Sequence, residues 1–426
     1  MFGLLVEFVV VLCDGAFLSR YDANSFNAAG IGGMLYLSLF MLGLGLSSGA
    51  QIIIARRAGA GKLAEVGKVF RHVGLLLFVT GLLLLFLFRY VAPAAMAQFM
   101  QSKQMADAVV LFAHYRGFGF LSGFGYLALT ALFTGTGCTN VLVLFSLITA
   151  ITNIVLDYAL IFGHWGLPEM GIEGAALASF LAESTAFLVG LGYIILHPQL
   201  RPYEIWSSFR PSISVFQRLL KVSLPLVGQH FLSFTGWFLF FALIEQLGET
   251  SFQASNVVRH LYLLLFIPIL GFSSVTQTYV SNLLGAGQSD LIPTTVRRIV
   301  WMTITGTLIL LGSLLIFPAT YLSILTDTPE VVDLSIRIIY VISPALFIFS
   351  VTFIVFAVIS GSGNTRQALI IESTVILSYL VVTYFLAIIW PQPVEWIWAS
   401  EYVYFGLMGI LSWVYLRKGT WKLKQI

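Results

Sequence analysis

Apolar residues run along this chain in stretches of about twenty, separated by short clusters of charged residues, glycine and proline. A helix of that length rises far enough to cross about 30 Å of hydrocarbon. Read between its breaks, the pattern predicts twelve spans, at about 1–20, 28–55, 70–95, 108–134, 139–163 and 172–196, then 218–247, 252–283, 294–320, 332–360, 367–390 and 394–416. The longest polar interruption, "HPQLRPYEIWSSFRPS" from His197 to Ser212, carries three prolines and falls between spans six and seven. It divides the chain into an N-lobe (1–196), a linker (197–217) and a C-lobe (218–426) that ends in a short basic tail.

The two halves repeat one pattern. "SSGAQIIIARRAGAG" at Ser47 to Gly61 matches "SSVTQTYVSNLLGAG" at Ser273 to Gly287, and "GTGCTN" at Gly135 to Asn140 matches "GSGNTR" at Gly361 to Arg366. Both pairs are displaced by the same 226 residues, at corresponding places in each half. The expected fold class is an all-α polytopic membrane protein, with twelve transmembrane helices in two six-helix bundles related by a pseudo-two-fold axis along the membrane normal.

Composition agrees with a bilayer as solvent: 58% of the 426 residues are hydrophobic and 10% charged, against about 25% charged in soluble domains. The net charge of +3 is too small to argue for a nucleic-acid partner. Basic residues instead set orientation. With both termini cytoplasmic, the inner segments would carry Arg56, Arg57, Lys62, Lys68, Arg71, Arg201, Arg210, Arg218, Lys221, Arg297, Arg298, Arg366, Arg417, Lys418, Lys422 and Lys424, sixteen of the 22 Lys and Arg. The two cysteines, Cys13 and Cys138, lie in or beside apolar runs and suit neither a disulfide framework nor a metal site. No cleavable signal peptide is recognisable, so the first run reads as a retained helix.

An acid in a membrane helix is costly enough to call for a reason. Those singled out inside the spans are Glu7, Asp14, Asp157, Glu183, Glu245 and Glu372. For Glu183, Glu245 and Glu372 a structural, interhelical role is the simpler reading. Asp157, in "ITNIVLDYALIFG", follows Asn153 by four residues, so both side chains share one helix face. Asp14 sits beside Gly15 in "VVLCDGAF". Carboxylates with an amide oxygen suit either a proton carrier or a hard cation such as Na⁺. At the displacement of 226, Asp14, Asn153 and Asp157 fall on Phe240, Tyr379 and Thr383, so this chemistry is expected in the first half alone.

With these motifs, above all "NIVLDYALIFG" followed by "GIEGAALAS", the chain resembles the multidrug and toxic compound extrusion (MATE) transporters over nearly its whole length. The resemblance implies a V-shaped pair of bundles that exports organic cations and other amphipathic drugs in exchange for Na⁺ or H⁺, with no cofactor and no catalytic residues. It further implies a coupling-cation site on Asp14, Asn153 and Asp157, joined by the Ser179 hydroxyl and the Ala175 carbonyl; Na⁺ there would be the one metal. The NorM-like branch carries a Glu eight residues after the proline of helix seven and an acid in helix ten. Here Ser233 follows Pro225 at that spacing and span ten has no acid beyond Asp333 at its entrance, so the chain looks closer to branches without C-lobe acids. Pro225 maps to a place before Met1, and the native chain is therefore expected to begin upstream.

Trp237 and Phe240 are the aromatic candidates for a substrate cavity, through cation–π contact. The expected partners are small amphipathic or cationic molecules and the lipid bilayer, with the protein acting as a monomer in the plasma membrane, the inner membrane of a bacterium. Two other readings compete. A flippase for lipid-linked oligosaccharides or other lipids would call for a more cationic cavity than the sparse intramembrane Arg and Lys supply. An integral-membrane enzyme would need clustered His, Glu or Asp, and the six scattered histidines form no such set.

Overall fold

The computed structural model describes residues 2–92, 102–323, 325–424 and 426; the side chain of Glu7 lies outside the described set. Among the described residues there is no β-strand. Within the described residues twelve longer helical spans follow one another: α1 (Phe2–Tyr21), α2 (Ala23–Gly59), α3 (Leu63–Phe86), the bent α4 with limbs Lys103–Arg116 and Gly119–Gly135, α5 (Asn140–Phe162), α6 (Ile172–Leu196), α7 (Ile213–Glu245), α8 (Glu249–Gly285), α9 (Ile292–Ile316), α10 (Pro329–Gly361), α11 (Thr365–Tyr384) and α12 (Glu401–Arg417). By length and composition nine described helices, or ten with the two limbs of α4 joined, are suited to crossing a membrane. The limbs of α4 meet at 46°. The last span starts later than its hydropathy suggests, because Pro391 and Pro393 end the preceding helical stretch and the separate short helix Val394–Trp398 comes before α12.

The chain folds into two compact units, Phe2–Val227 and Gly228–Ile426. The break falls inside α7 rather than in the polar segment before it. The opening turns of α7 belong to the first unit, where Ser223 Oγ donates to the Leu46 carbonyl of α2 at 3.3 Å.

Each unit uses the repeated motifs for the same purpose. Gly61 and Gly287 turn the chain out of α2 and α8 at φ +70° and +73°, and Gly137 and Gly363 do so after α4 and α10 at +80° and +85°. A side chain is strained at such angles, which explains the glycines. Gly135 also lets α4 approach α2: a Cβ there would stand 3.0 Å from the Gln51 carbonyl oxygen. In the second unit, a Cβ on Gly361 would stand 2.7 Å from the Cα and carbonyl oxygen of Gln277. Gln51 and Gln277 are themselves 226 residues apart, so the repeat is one helix-packing device used twice.

Candidate functional site

The sequence positions α5 and α6 as a tight hairpin. α5 ends at Gly163, which takes a left-handed conformation at φ +72°. The returning loop then donates Met170 N–H to the Leu160 carbonyl at 2.8 Å and Gly171 N–H to that of Ile161 at 3.3 Å, satisfying carbonyls at the end of α5. Gly174 brings the first turn of α6 onto α5, since a Cβ there would lie 2.7 Å from the Leu160 carbonyl. Ala175 follows, buried in one cluster with Leu18 of α1 and Ile161 of α5. Leu18 and Ile161 are each four residues beyond an acid, so Ala175 lies about one turn from the layer of Asp14 and Asp157. Ser179, half-buried and one turn further along the returning α6, comes back towards that layer.

Asp157 is 0% and Asn153 1% exposed. The carboxyl groups of Asp14 and Asp157 lie against each other, within electrostatic reach. Neither Asp157 oxygen has a hydrogen-bond partner of acceptable geometry; nor do Asp14 Oδ1 and the side-chain oxygen and nitrogen of Asn153, all of them buried. Buried polar atoms are rarely left so. Four of the five are oxygens, the donor set of a proton or of a hard cation. Among the described residues no three or more His, Cys, Asp or Glu are grouped as a metal would require.

Beside this cluster, the same unit holds a half-buried ion pair. Arg116, at the bend of α4, reaches Glu183 of α6 with both terminal nitrogens, Nη2 to Oε1 at 2.6 Å and Nη1 to Oε2 at 3.1 Å. Its guanidinium stands 3.7 Å over the ring of Tyr36, which stacks on Phe120 at 4.4 Å. The Arg116 charge also acts on Asp14. The sequence marks Glu183 as an intramembrane acid, but the contact that pairs it spans 67 positions and two helices.

In the second unit Phe240 is fully buried, stacked on Tyr379 at 5.7 Å and edge-on to Trp398 at 5.0 Å. Its faces are therefore taken by core neighbours. Trp237 is half-buried and stacks on Tyr262 at 5.9 Å. Of the two acids near them, sequence reasoning singled out Glu372 and missed Glu401. Glu401, absent from the intramembrane acids singled out above, is 3% exposed and accepts from Tyr262 at 3.0 Å and Tyr379 at 3.2 Å. Glu372 is equally buried and accepts from Ser233 at 2.8 Å and Tyr404 at 2.6 Å. Ser233, standing where an acid was sought, thus contacts an acid supplied by α11. The available signal was the tyrosine-rich "SEYVYF" at Ser400 to Phe405.

A family model described as MatE matches residues 1–159 and 225–388. The chain is 25% identical over 384 residues to a "Probable multidrug resistance protein NorM" of Thermotoga maritima, covering 86% of this chain and 79% of that protein. A protein of the same name from Aromatoleum aromaticum is 25% identical over 320 residues, covering 73% and 67%. Among solved structures, the outward-facing conformation of a multidrug resistance MATE family transporter of the MOP superfamily superposes with a TM-score of 0.91 at 18% identity, covering 100% of this chain and 94% of that one. A MOP superfamily transporter from Pyrococcus furiosus, whose title describes a binding pocket of reverse polarity, gives 0.90 at 18% with the same coverage. At that identity the structural likeness speaks for the fold.

Proposed function

Since the chain belongs to the MatE family, an integral-membrane transporter family rather than an enzyme family, we propose that it is an antiporter that exports organic cations and other amphipathic molecules against an inward flow of H⁺ or Na⁺. The observation that carries the coupling half of this reading is the set of unpaired buried atoms on Asp14, Asn153 and Asp157. The names of its relatives carry the substrate half.

Two carboxylates face to face repel, and a proton or sodium ion between them removes the repulsion. α1 and α5 then close on the ion, with the Ala175 carbonyl and Ser179 hydroxyl of α6 as further oxygens. Antiport follows because the ion and the drug favour different conformations, and each shifts the population against the other. The working layout in this reading is an N-lobe of residues 1–196 that binds the ion, a cytoplasmic linker of 197–217 and a C-lobe of 218–426. The protein acts as a monomer in the plasma membrane with both termini inside.

The test is drug transport by purified protein in proteoliposomes, with Na⁺ and pH gradients imposed separately. One of the two gradients is expected to drive transport in the wild type, and Asp157→Asn and Asp14→Asn are expected to abolish that drive while still inserting. Wild-type rates in both variants would refute the N-lobe site. The gradient that works identifies the ion.

A further inference from the structure

The internal repeat gives the N-lobe cluster a counterpart. At the displacement of 226, Asp14, Asn153, Asp157 and Ala175 fall on Phe240, Tyr379, Thr383 and Glu401. The acids of α1 and α5 have no equivalents there, yet the place is not apolar. Glu401 brings a carboxyl from α12 where α6 offers only an alanine, and Tyr379, in the place of Asn153, donates its hydroxyl to it. Thr383, in the place of Asp157, donates to Ser400 at 3.0 Å. Phe240, in the place of Asp14, lies against Tyr379.

Among the described residues the side chains that hydrogen-bond Glu401 are tyrosine hydroxyls. Tyr262 of α8 and Tyr379 of α11 hold one oxygen each. Tyr404, one turn along α12, packs edge-on to Tyr379 at 5.6 Å and donates to Glu372 of α11. The other oxygen of Glu372 is buried with no partner. Among the described residues no Lys, Arg or His pairs with either acid. Arg337 of α10 is engaged by Asp333 and Glu395, and Arg259 of α8 lies over the Phe241 ring. A buried carboxyl with no counter-ion is stabilised either by donated hydroxyls or by a proton.

We propose that Glu401 is a second proton-binding carboxyl of this protein, clamped by Tyr262 and Tyr379 and linked through Tyr404 to Glu372. The ligand is a proton rather than a metal ion, because the surrounding hydroxyls direct hydrogens at the carboxyl and both of its oxygens already accept one. Ionised, Glu401 accepts from both tyrosines. Protonated, it gains an O–H that can donate to one of those tyrosine oxygens, and that tyrosine must then turn its own hydrogen elsewhere. Proton binding thus reverses one of the two ties that hold α8 and α11 to α12 and reorients a buried hydroxyl, giving the C-lobe a proton-dependent hydrogen-bond network of its own. Assigning transport work to this proton rests on the antiport reading above; its binding does not.

Infrared difference spectra of the purified full-length protein, recorded over steps of pH, test the proposal through the carbonyl stretch of a protonated carboxyl. Wild-type protein is expected to give a carboxyl band that Glu401→Gln removes and that the double variant Asp14→Asn/Asp157→Asn keeps. Tyr262→Phe leaves Glu401 in place but takes away one donor to its ionised form, and is expected to move that band by about one to two units towards higher pH. This variant carries the test if Glu401→Gln does not fold. Spectra of Glu401→Gln identical to the wild type, or a Tyr262→Phe midpoint that does not move, would overturn the assignment. The N-lobe variants report on the antiport reading separately, so failure of one site is not mistaken for failure of the other.

Discussion

Asp157 and Asn153 stand one helical turn apart, fully buried, with four polar atoms that lack a hydrogen-bond partner of acceptable geometry. Each such group costs about 1–3 kcal/mol when left unmade, so function and stability should pull apart here. Asp157→Leu is expected to raise unfolding stability by about 1–3 kcal/mol while abolishing gradient-driven transport, which thermal unfolding and proteoliposome uptake would measure on the same preparation. Glu183 is the opposite case. Its carboxylate neutralises Arg116 inside the N-lobe, and Glu183→Gln should cost about 1–2 kcal/mol by leaving a half-buried guanidinium without its counter-ion. The double variant Arg116→Met/Glu183→Gln should recover most of that loss, and a double-mutant cycle checks it. At this scale the shared face of Asn153 and Asp157 was legible in the sequence, because spacing along one helix is visible in a string of letters. Glu401 escaped, since its role is defined by tyrosines 139 and 22 positions away.

Among the elements, the segment after α6 is docked rather than loose. Arg71 of α3 donates to the Glu204 and Ile205 carbonyls. His72 Nε2 accepts the Ser212 N–H at 2.9 Å while its Nδ1 bonds the Lys68 carbonyl. Gly67 is where the two segments come closest, for a Cβ there would fall 1.9 Å from the Tyr203 carbonyl oxygen, which is backbone and cannot swing aside. Gly67→Ala should therefore cost about 1–3 kcal/mol and expose residues 197–212 to limited proteolysis, with the helices still protected. A second prediction concerns the junction of α1 and α2. Asp22 caps α2 by accepting from the Ser25 N–H at 2.8 Å and its hydroxyl at 3.0 Å, and these bonds hold its carboxyl below the usual range. A lowered value means the cap contributes at neutral pH and is lost as pH falls through it. Asp22→Ala should lower the melting temperature at pH 7 and have no effect in acid below that value.

At the scale of the whole molecule, the basic residues gather on one side of the predicted topology, and the proposed orientation with residues 197–217 in the cytoplasm rests on that asymmetry. A single cysteine at Ser207, in a background without Cys13 and Cys138, should resist an impermeant maleimide in intact cells and react once they are opened. Labelling of intact cells would reverse the orientation and with it the direction of transport.

Hydropathy by itself determined that this chain is an all-helical membrane protein, since backbone groups in lipid must bond within their own segment. The repeat determined that six and six helices share one plan, because glycine is required wherever a turn or a close approach excludes a side chain. What the tertiary structure decided is which polar groups are paired. Arg116 and Glu183 satisfy each other, Glu372 and Glu401 are held by hydroxyls, and Asp14, Asn153 and Asp157 keep buried polar atoms without a hydrogen bond of acceptable geometry. The physical reason is that helix periodicity depends on neighbours in sequence, whereas the satisfaction of a buried charge depends on groups from other helices that only packing brings within 3 Å.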